Sequence, residues 1–337
     1  MKDRIRETGE NIKNTKNFKG SLKFNEKMKC HTSMKVGGKA ELFIAPKDTF
    51  SLIELLKTSQ KNNLPFFILG GGSNLVISDQ GFDNLVISTQ NFKGIKFTVT
   101  QEKEKITLKN QKIIEGKKTF LTCKSGTTIK ELNDFCQKHA LLGLENFSGL
   151  PGTAGGGCFM NARCYEKNIC DAIYSVKYID LENTDNFEEK TLTVEESKDL
   201  WDYKMSPFQK KKSFITEVTF NLLSIEKKYA SYIKEQNAFY KNDRKQKGHF
   251  KYPSAGSVFK NNRSFGKPSG VLVDQAGLKG LKKGGAQVAP WHGNFIINRK
   301  NAKASDIYAL VEEVKAKVKE QTGFNLECEI IFCGKGY

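Results

Sequence analysis

GLENFSGLPGTAGGGCFMNA, residues 143–162, is the stretch from which the fold can be worked out. It places five glycines between positions 149 and 157, and a connection this long within a compact domain normally binds something. Glycine has no side chain, so its backbone can lie flat against a planar ligand or a pyrophosphate. The positions predicted to contact such a ligand are Gly149, Pro151, Gly152, Thr153, Gly155, Gly156 and Asn161.

A second glycine loop lies earlier in the chain, in ILGGGSNLVIS, residues 68–78. It follows an apolar strand, as phosphate-binding loops do, but Leu75 in its sixth position departs from GxGxxG, and GxxxxGK[ST] is absent. Three successive backbone N–H groups could still converge on a diphosphate, although hairpin glycines look similar. The two loops together favour an extended dinucleotide. The predicted contacts from this loop are Gly70, Gly71, Gly72, Ser73 and Asn74.

Short strands and helices alternate around these loops. The apolar runs AELFIAP and LPFFILG predict strands, and TFSLIELLKTSQKN between them has leucines at helical spacing. A charged hairpin is expected at about 100–117, and Thr128 with Glu131 forms a capping box that opens the helix IKELNDFCQKHA. A polar helix at about 226–242 marks a domain boundary, and residues 1–20 have the composition of a flexible polar tail. The pattern predicts about two domains.

The formal net charge of +18 raises the question of nucleic-acid binding. The lysines are dispersed among Glu and Asp, and neither a zinc-finger pattern nor aromatic-basic interleaving occurs. A solvated basic surface is the preferred interpretation, although part of the charge could attract an anionic small molecule. We therefore expect no nucleic-acid partner.

The cysteine pattern and the length of the apolar runs indicate the cellular compartment of the protein. Eight cysteines occur without a CxxC pair, and the chain has four histidines, so zinc-ligand spacing is absent. A disulfide framework is untypical of a protein this size. No apolar run approaches the ~18 residues of a membrane helix. We expect a cytoplasmic monomer with reduced thiols and neither a metal nor a membrane partner.

Eight motifs occur in the order and spacing of one enzyme family. They are HTSMKVGGKAELFIAP, ILGGGSNLVIS, GLENFSGLPGTAGGGCFMNA, YKMSPF, AGSVFKN, GLKGLKKGGAQV, HGNFIIN and LECEIIFCG. Over about residues 20–334 the chain resembles the UDP-N-acetylenolpyruvoylglucosamine reductases, also called UDP-N-acetylmuramate dehydrogenases, of peptidoglycan precursor synthesis. The short spacing between YKMSPF and AGSVFKN resembles the family version that lacks an inserted tyrosine-bearing lid.

The resemblance implies an α+β fold. A two-subdomain FAD-binding region of the vanillyl-alcohol-oxidase (PCMH) type, at about 21–90 and 91–225, would precede an α/β substrate-binding domain at 226–337. The last strand is predicted at 325–333. The FAD is expected to be non-covalent, because neither glycine loop carries a residue matching the covalent anchors of the oxidase relatives. Cys158 and Cys164 lie close enough to the second loop to keep covalent attachment as an alternative.

The family reaction passes a hydride from NADPH to FAD and then to the enolpyruvyl double bond of UDP-N-acetylglucosamine enolpyruvate. The resulting carbanion needs a proton donor, and the resemblance implies Ser257 in AGSVFKN, with Lys247 beside it. The alternatives are a tight turn for the serine stretch and a solvated surface position for the lysine. Lys260 could also be structural or bind a phosphate. The implied substrate contacts are Tyr203, Lys247, Lys260 and Asn261.

Two further residues are expected to face the substrate carboxylate. Glu329 matches the family glutamate, with Glu327 as the competing candidate. Lys204 departs from the family pattern, which normally has arginine at this position. In the family, the planar guanidinium of that arginine binds the carboxylate at two points, which lysine cannot do. Arg163, where the family usually has glycine, could compensate. Two other functions stay open: a different flavin oxidase of the same superfamily, and a basic binding protein that keeps the fold without catalysis.

Overall fold

The structure is a computed structural model that describes residues 2–182 and 186–337. The elements of its N-terminal part are α1 Lys2–Asn14, β1 Gly20–Lys27, β2 Lys39–Pro46, α2 Thr49–Lys61, β3 Phe66–Leu69, β4 Leu75–Ile77 and β5 Phe82–Ser88. Four of the strands form a sheet in the order β1–β2–β5–β3, in which only the β1–β2 pair is antiparallel. The first glycine loop joins β3 to β4, at the carboxyl end of the half-buried parallel strand β3.

The predicted flexible tail at 1–20 is wrong for most of its length, because Lys2–Asn14 is helical. Ile5 and Ile12 are spaced two helical turns apart, so they share one face, and both are buried against leucines of α2. The hydroxyl of Thr8 on the same helix accepts a hydrogen bond of 2.7 Å from the Asn62 side chain. The packing of these two isoleucines against α2 therefore holds an otherwise polar segment on the sheet domain.

The middle part is an antiparallel sheet. Its elements are β6 Ile95–Thr107, β7 Ile113–Lys124, α3 Ile129–His139, β8 Leu141–Leu142, α4 Ala154–Phe159, β9 Arg163–Cys164, β10 Lys167–Asn168, β11 Ile173–Asp180, β12 Glu189–Thr193 and β13 Ser213–Ile225. The strand order is β12–β11–β13–β7–β6, and β8 also pairs with β13. The predicted hairpin is confirmed as β6–β7, and both hydrogen bonds of the Thr128–Glu131 capping box are present at the start of α3.

The C-terminal part packs a small antiparallel sheet against a long helix. Its elements are α5 Ala230–Gln246, β14 Ser254–Ser257, α6 Ser269–Gln275, β15 Lys282–Lys283, β16 Ala286–Val288, β17 Phe295–Asn298, α7 Ala304–Thr322 and β18 Ile331–Cys333. The sheet order is β14–β17–β16–β15, and the apolar face of α7 is fully buried. Met34, Val36 and Val76 belong to the same core, so this part is packed onto the first one. Within the described residues, no helix has both the length and the apolar character needed to cross a membrane.

The last strand is shorter than predicted, because strand pairing covers Ile331–Cys333 and not 325–333. Cys328 forms one isolated bridge with Phe259, and three residues later the chain pairs in parallel with β4. The segment therefore changes partner between Ile330, whose N bonds Val258 O, and Ile331, whose N bonds Asn74 O, so it cannot be one continuous strand. This change of partner places Glu329 between the serine strand β14 and the first glycine loop.

Candidate active site

The two glycine loops lie against each other. A Cβ atom built on Gly71 would come 2.6 Å from the Cα of Gly152, and one built on Gly152 would come 2.8 Å from the Ser73 hydroxyl. A Cβ atom on Gly70 would come 3.2 Å from the Thr153 hydroxyl. Side chains at these positions would push the loops apart, so the glycines are needed for the contact.

The second loop is held by backbone hydrogen bonds to the turn before α3. Gly155 N donates to Ser125 O over 2.9 Å, and Ala154 N donates to Thr127 O over 2.8 Å. Thr153 caps α4, since its hydroxyl accepts from Gly156 N over 3.3 Å. The Ser125 hydroxyl beside this loop is buried without a hydrogen-bond partner among the described residues. A buried polar atom of this kind normally has a partner, so a ligand between the loops could supply one.

Two asparagines predicted to contact the cofactor make hydrogen bonds within the protein. The Asn74 side chain donates to Glu329 O over 2.9 Å, which ties the first loop to the glutamate. Asn161 is fully buried, donates to Asp202 O over 2.8 Å and accepts from Cys170 N over 3.3 Å. Both side chains therefore position neighbouring segments, and their contact with a cofactor stays a prediction.

Lys204 and Glu329 form an ion pair at the centre of the site. Their Nζ and Oε1 atoms are 2.6 Å apart, and each side chain is only 12% exposed. Lys204 lies in a tight turn with φ of 59°, and its carbonyl accepts a hydrogen bond from Gln209. The competing candidate Glu327 points outward, with 72% of its side chain exposed, and pairs with Lys260. The structure thus separates the two glutamates that the sequence left as alternatives.

Ser257 lies at the end of β14, half-buried and opposite Phe295 of β17. Its hydroxyl makes no hydrogen bond with any described residue. The next residue, Val258, accepts a 2.7 Å hydrogen bond from Glu329 N, so the serine segment and the glutamate are direct neighbours. Asn294 fixes this segment, because its buried side chain bonds both N and O of Phe259 over 2.8 Å. The sequence analysis missed Asn294, although it lies in the HGNFIIN motif.

Tyr203 and Asn261, which are both predicted substrate contacts, lie next to each other. The Tyr203 hydroxyl accepts a 3.4 Å hydrogen bond from Asn261 N, and the Asn261 side chain accepts from Ser269 N over 3.0 Å. Tyr203 also precedes Lys204, so these residues form one edge of the site. Lys260, the other predicted contact here, faces Glu327 and holds the start of α6 through its carbonyl, which accepts from Ser269 Oγ.

Lys247 lies in a different cluster from the one predicted. Its Nζ is 2.7 Å from the Asp243 carboxylate and 5.4 Å from the centre of the Tyr165 ring, and its side chain is 54% exposed. No hydrogen bond joins it to Ser257 within the described part of the chain. Arg163 has a different partner: its Nη1 donates a 3.1 Å hydrogen bond to the Asn168 side chain inside the β9–β10 hairpin.

Arg244 is a cation that sequence reasoning missed. It is buried, its Nε donates to Gly149 O over 3.2 Å, and its Nη1 contacts the Cys164 sulfur at 3.8 Å. Burial raises the pKa of the Cys164 thiol, while the charges of Arg244 and Lys204 lower it and that of Glu329 raises it. The charges of these three groups therefore act on one thiol, and Arg244 is in direct contact with it. One arginine in the polar run KNDRKQK gives no sequence signal for this position.

Comparisons with known proteins agree with this architecture. Residues 248–333 match the family model "UDP-N-acetylenolpyruvoylglucosamine reductase, C-terminal domain", and residues 40–184 match the model "FAD binding domain". The predicted α+β FAD-binding fold is therefore confirmed. Named UDP-N-acetylenolpyruvoylglucosamine reductases include one from Treponema denticola, which is 44% identical over 94% of each chain. Another, from Borreliella burgdorferi, is 37% identical over 90% of this chain and 92% of its own.

A solved structure gives the same result. The UDP-N-acetylenolpyruvylglucosamine reductase of Thermus caldophilus superposes with a TM-score of 0.67 and 27% identity, covering 94% of this chain and 99% of that one. The Treponema denticola relative and this structure each cover 94% of the chain, and the family models match residues 40–184 and 248–333 within it. The chain therefore belongs to the UDP-N-acetylenolpyruvoylglucosamine reductase family of FAD-dependent oxidoreductases.

Proposed function

We propose that this chain reduces UDP-N-acetylglucosamine enolpyruvate to UDP-N-acetylmuramate with NADPH, in cytoplasmic peptidoglycan precursor synthesis. The observation that carries the proposal is the buried Lys204–Glu329 pair, held beside the Ser257 segment and tied to the first glycine loop. A reducible substrate with a carboxylate next to its double bond needs this combination of a hydroxyl donor and anchored charges. Bound FAD would supply the hydride chemistry.

The glycine loops are proposed to hold the FAD between the two subdomains of residues 21–225. Their close backbone approach and the partnerless Ser125 hydroxyl fit a ligand with a diphosphate. We propose non-covalent attachment, because Cys158 is packed in the core and burial raises its pKa well above the usual value. A thiol that stays protonated is a poor nucleophile for attack on a flavin.

The substrate is proposed to lie against residues 226–337. Ser257 would donate its proton to the carbanion, and the Lys204 cation would stabilise the charge that spreads into the carboxylate. Glu329 would hold the Lys204 ammonium in position beside the reacting group. Tyr203, Asn261 and Lys260 form the adjoining edge. Lys247 stays a candidate contact in its cluster with Tyr165, rather than direct support for Ser257. We propose that the protein acts as a monomer.

A coupled assay tests the function. Purified holoenzyme should oxidise NADPH only when the enolpyruvyl sugar nucleotide is present, and UDP-N-acetylglucosamine, which lacks the double bond, is the matched control. Acid precipitation should release the flavin into the supernatant. Turnover that consumes oxygen without the enolpyruvyl substrate would identify a flavin oxidase instead. A colourless protein that binds no added FAD would identify a binding protein.

Gly71→Ala should weaken FAD binding by about 100-fold, equivalent to ~2.7 kcal/mol. The added methyl would lie 2.6 Å from the Gly152 backbone, which cannot rotate away as a side chain could, so the loops must separate. The measurement is the flavin content of the purified variant and its affinity for added FAD. Gly323→Ala, with φ of 74° and open space around the new methyl, is strained but should keep its flavin. Equal flavin retention in both variants would refute the loop-contact argument.

A further inference from the structure

Arg244 is a buried guanidinium whose partners are both neutral. A guanidinium has five N–H groups, and Arg244 uses one on the Gly149 carbonyl and one on the Cys164 sulfur. No carboxylate among the described residues forms an ion pair with it. Buried charges are normally paired, because an isolated charge loses its hydration without compensation. The remaining N–H groups are therefore available to an anion.

The nearby acidic groups are already used. Glu329 is paired with Lys204 at 2.6 Å, and Asp243 accepts from Lys247 and from the Tyr165 hydroxyl at 2.7 Å each. Arg244 thus leaves one uncompensated positive charge. The effect reaches His249, where burial, followed by the charges of Arg244, His292 and Lys247, lowers the pKa to about 4. A neutral His249 adds no charge, so the positive charge of Arg244 remains for an anionic ligand to compensate.

Arg244 also lies where the two functional regions meet. Gly149 belongs to the second glycine loop, and Arg244 contacts the sulfur of Cys164. The charges of Lys204 and Glu329 also act on the pKa of this thiol. Lys204 occupies the position at which relatives of this chain are expected to carry arginine, and its single ammonium is held by Glu329. Position 204 therefore lacks a planar guanidinium that could donate two hydrogen bonds to a carboxylate. Arg244 has such a group, and it forms no ion pair with a described residue.

We propose that Arg244 binds the carboxylate of the enolpyruvyl group and provides the two-point grip that Lys204 cannot. The proposal rests on the proposed function, since that carboxylate belongs to the proposed substrate. The sugar nucleotide also carries a diphosphate, so the test must distinguish the two anions. UDP-N-acetylglucosamine has the diphosphate without the carboxylate.

The experiment measures binding to oxidised holoenzyme without NADPH, so that no turnover occurs. Wild type, Arg244→Gln and Arg244→Lys are titrated with the enolpyruvyl sugar nucleotide and with UDP-N-acetylglucosamine, and heats and flavin absorbance are recorded. For Arg244→Gln we expect about 100-fold weaker binding of the first ligand and less than about a threefold change for the second. Arg244→Lys should fall between, because it keeps the charge but not the fork. Lys245→Gln, an exposed neighbour on the same helix, is the charge control.

Each other outcome overturns the assignment. Equal weakening for both ligands would assign Arg244 to the diphosphate, and unchanged binding of both would remove it from the site. Loss of flavin in both Arg244 variants would assign it to the Gly149 loop alone. Failure of the proposed function itself looks different: wild-type protein would then bind both sugar nucleotides equally and show no NADPH oxidation that depends on the enolpyruvyl ligand.

Discussion

Ser257→Ala is expected to leave reduction of the bound flavin by NADPH unchanged and to slow reoxidation by the enolpyruvyl sugar nucleotide by about 10²–10⁴-fold. Only the second half-reaction creates a carbanion that must be protonated, and the Ser257 hydroxyl is the candidate donor. That hydroxyl is half-buried and has no hydrogen bond to a described residue, so its removal should disturb the fold little. Anaerobic stopped-flow absorbance of the flavin measures the two rates separately.

Ser254→Ala provides the matched control. Ser254 begins the same strand, is also half-buried, and anchors Ser33 through its backbone carbonyl, which the substitution keeps. Its reoxidation rate should equal that of wild type. If Ser257→Ala slows both half-reactions equally, the serine has a structural role in the turn. If it slows neither, another group donates the proton.

The individual elements could be predicted because their determinants are local, whereas the FAD-binding fold was implied by the resemblance of eight motifs to one family. Short apolar runs, the Thr128–Glu131 capping box and the glycine spacing each specify backbone conformation within a few residues. Even the contact between the loops follows from the chemistry of glycine, although only the structure shows Gly71 against Gly152. What the sequence could not specify is the partner of each loop residue. Asn74 and Asn161 were predicted as ligand contacts, and only the structure shows that their side chains also bond Glu329 O and Asp202 O.

The errors have a common physical cause, which is tertiary contact over long sequence separations. The N-terminal segment is polar on average and becomes a helix because Ile5 and Ile12 find leucines of α2. The predicted last strand is divided because its hydrogen-bond partner changes: Glu329 N donates to Val258 O, whereas Ile331 N donates to Asn74 O. The unpaired state of Arg244 depends on Asp243 being occupied by Tyr165 and Lys247. No local sequence pattern could show that Arg244 has no ion-pair partner among the described residues.

The second large effect is expected at Lys204. Lys204→Ala removes the partner of Glu329 and leaves a carboxylate that is only 12% exposed, which should lower the free energy of unfolding by about 3 kcal/mol. It should also slow flavin reoxidation by about 10²–10³-fold, the scale for losing one charged stabiliser of a developing anion. Reduction by NADPH should change less, since only the sugar substrate carries the carboxylate. Thermal unfolding and the two half-reaction rates measure these effects.

The companion variant Lys204→Arg separates charge from geometry. It keeps the cation for Glu329 and adds a planar fork, so stability should be retained, and reoxidation should equal or exceed the wild-type rate. Lys103→Ala, which removes an exposed partner of Glu115, is the control for loss of a lysine and should change neither measurement. A wild-type reoxidation rate in Lys204→Ala would count against Lys204 as a substrate cation. Arg244 and Arg163 would then be the cations to vary next. Arg244 is buried beside Gly149, whereas Arg163 is half-buried and donates to Asn168 in its own hairpin.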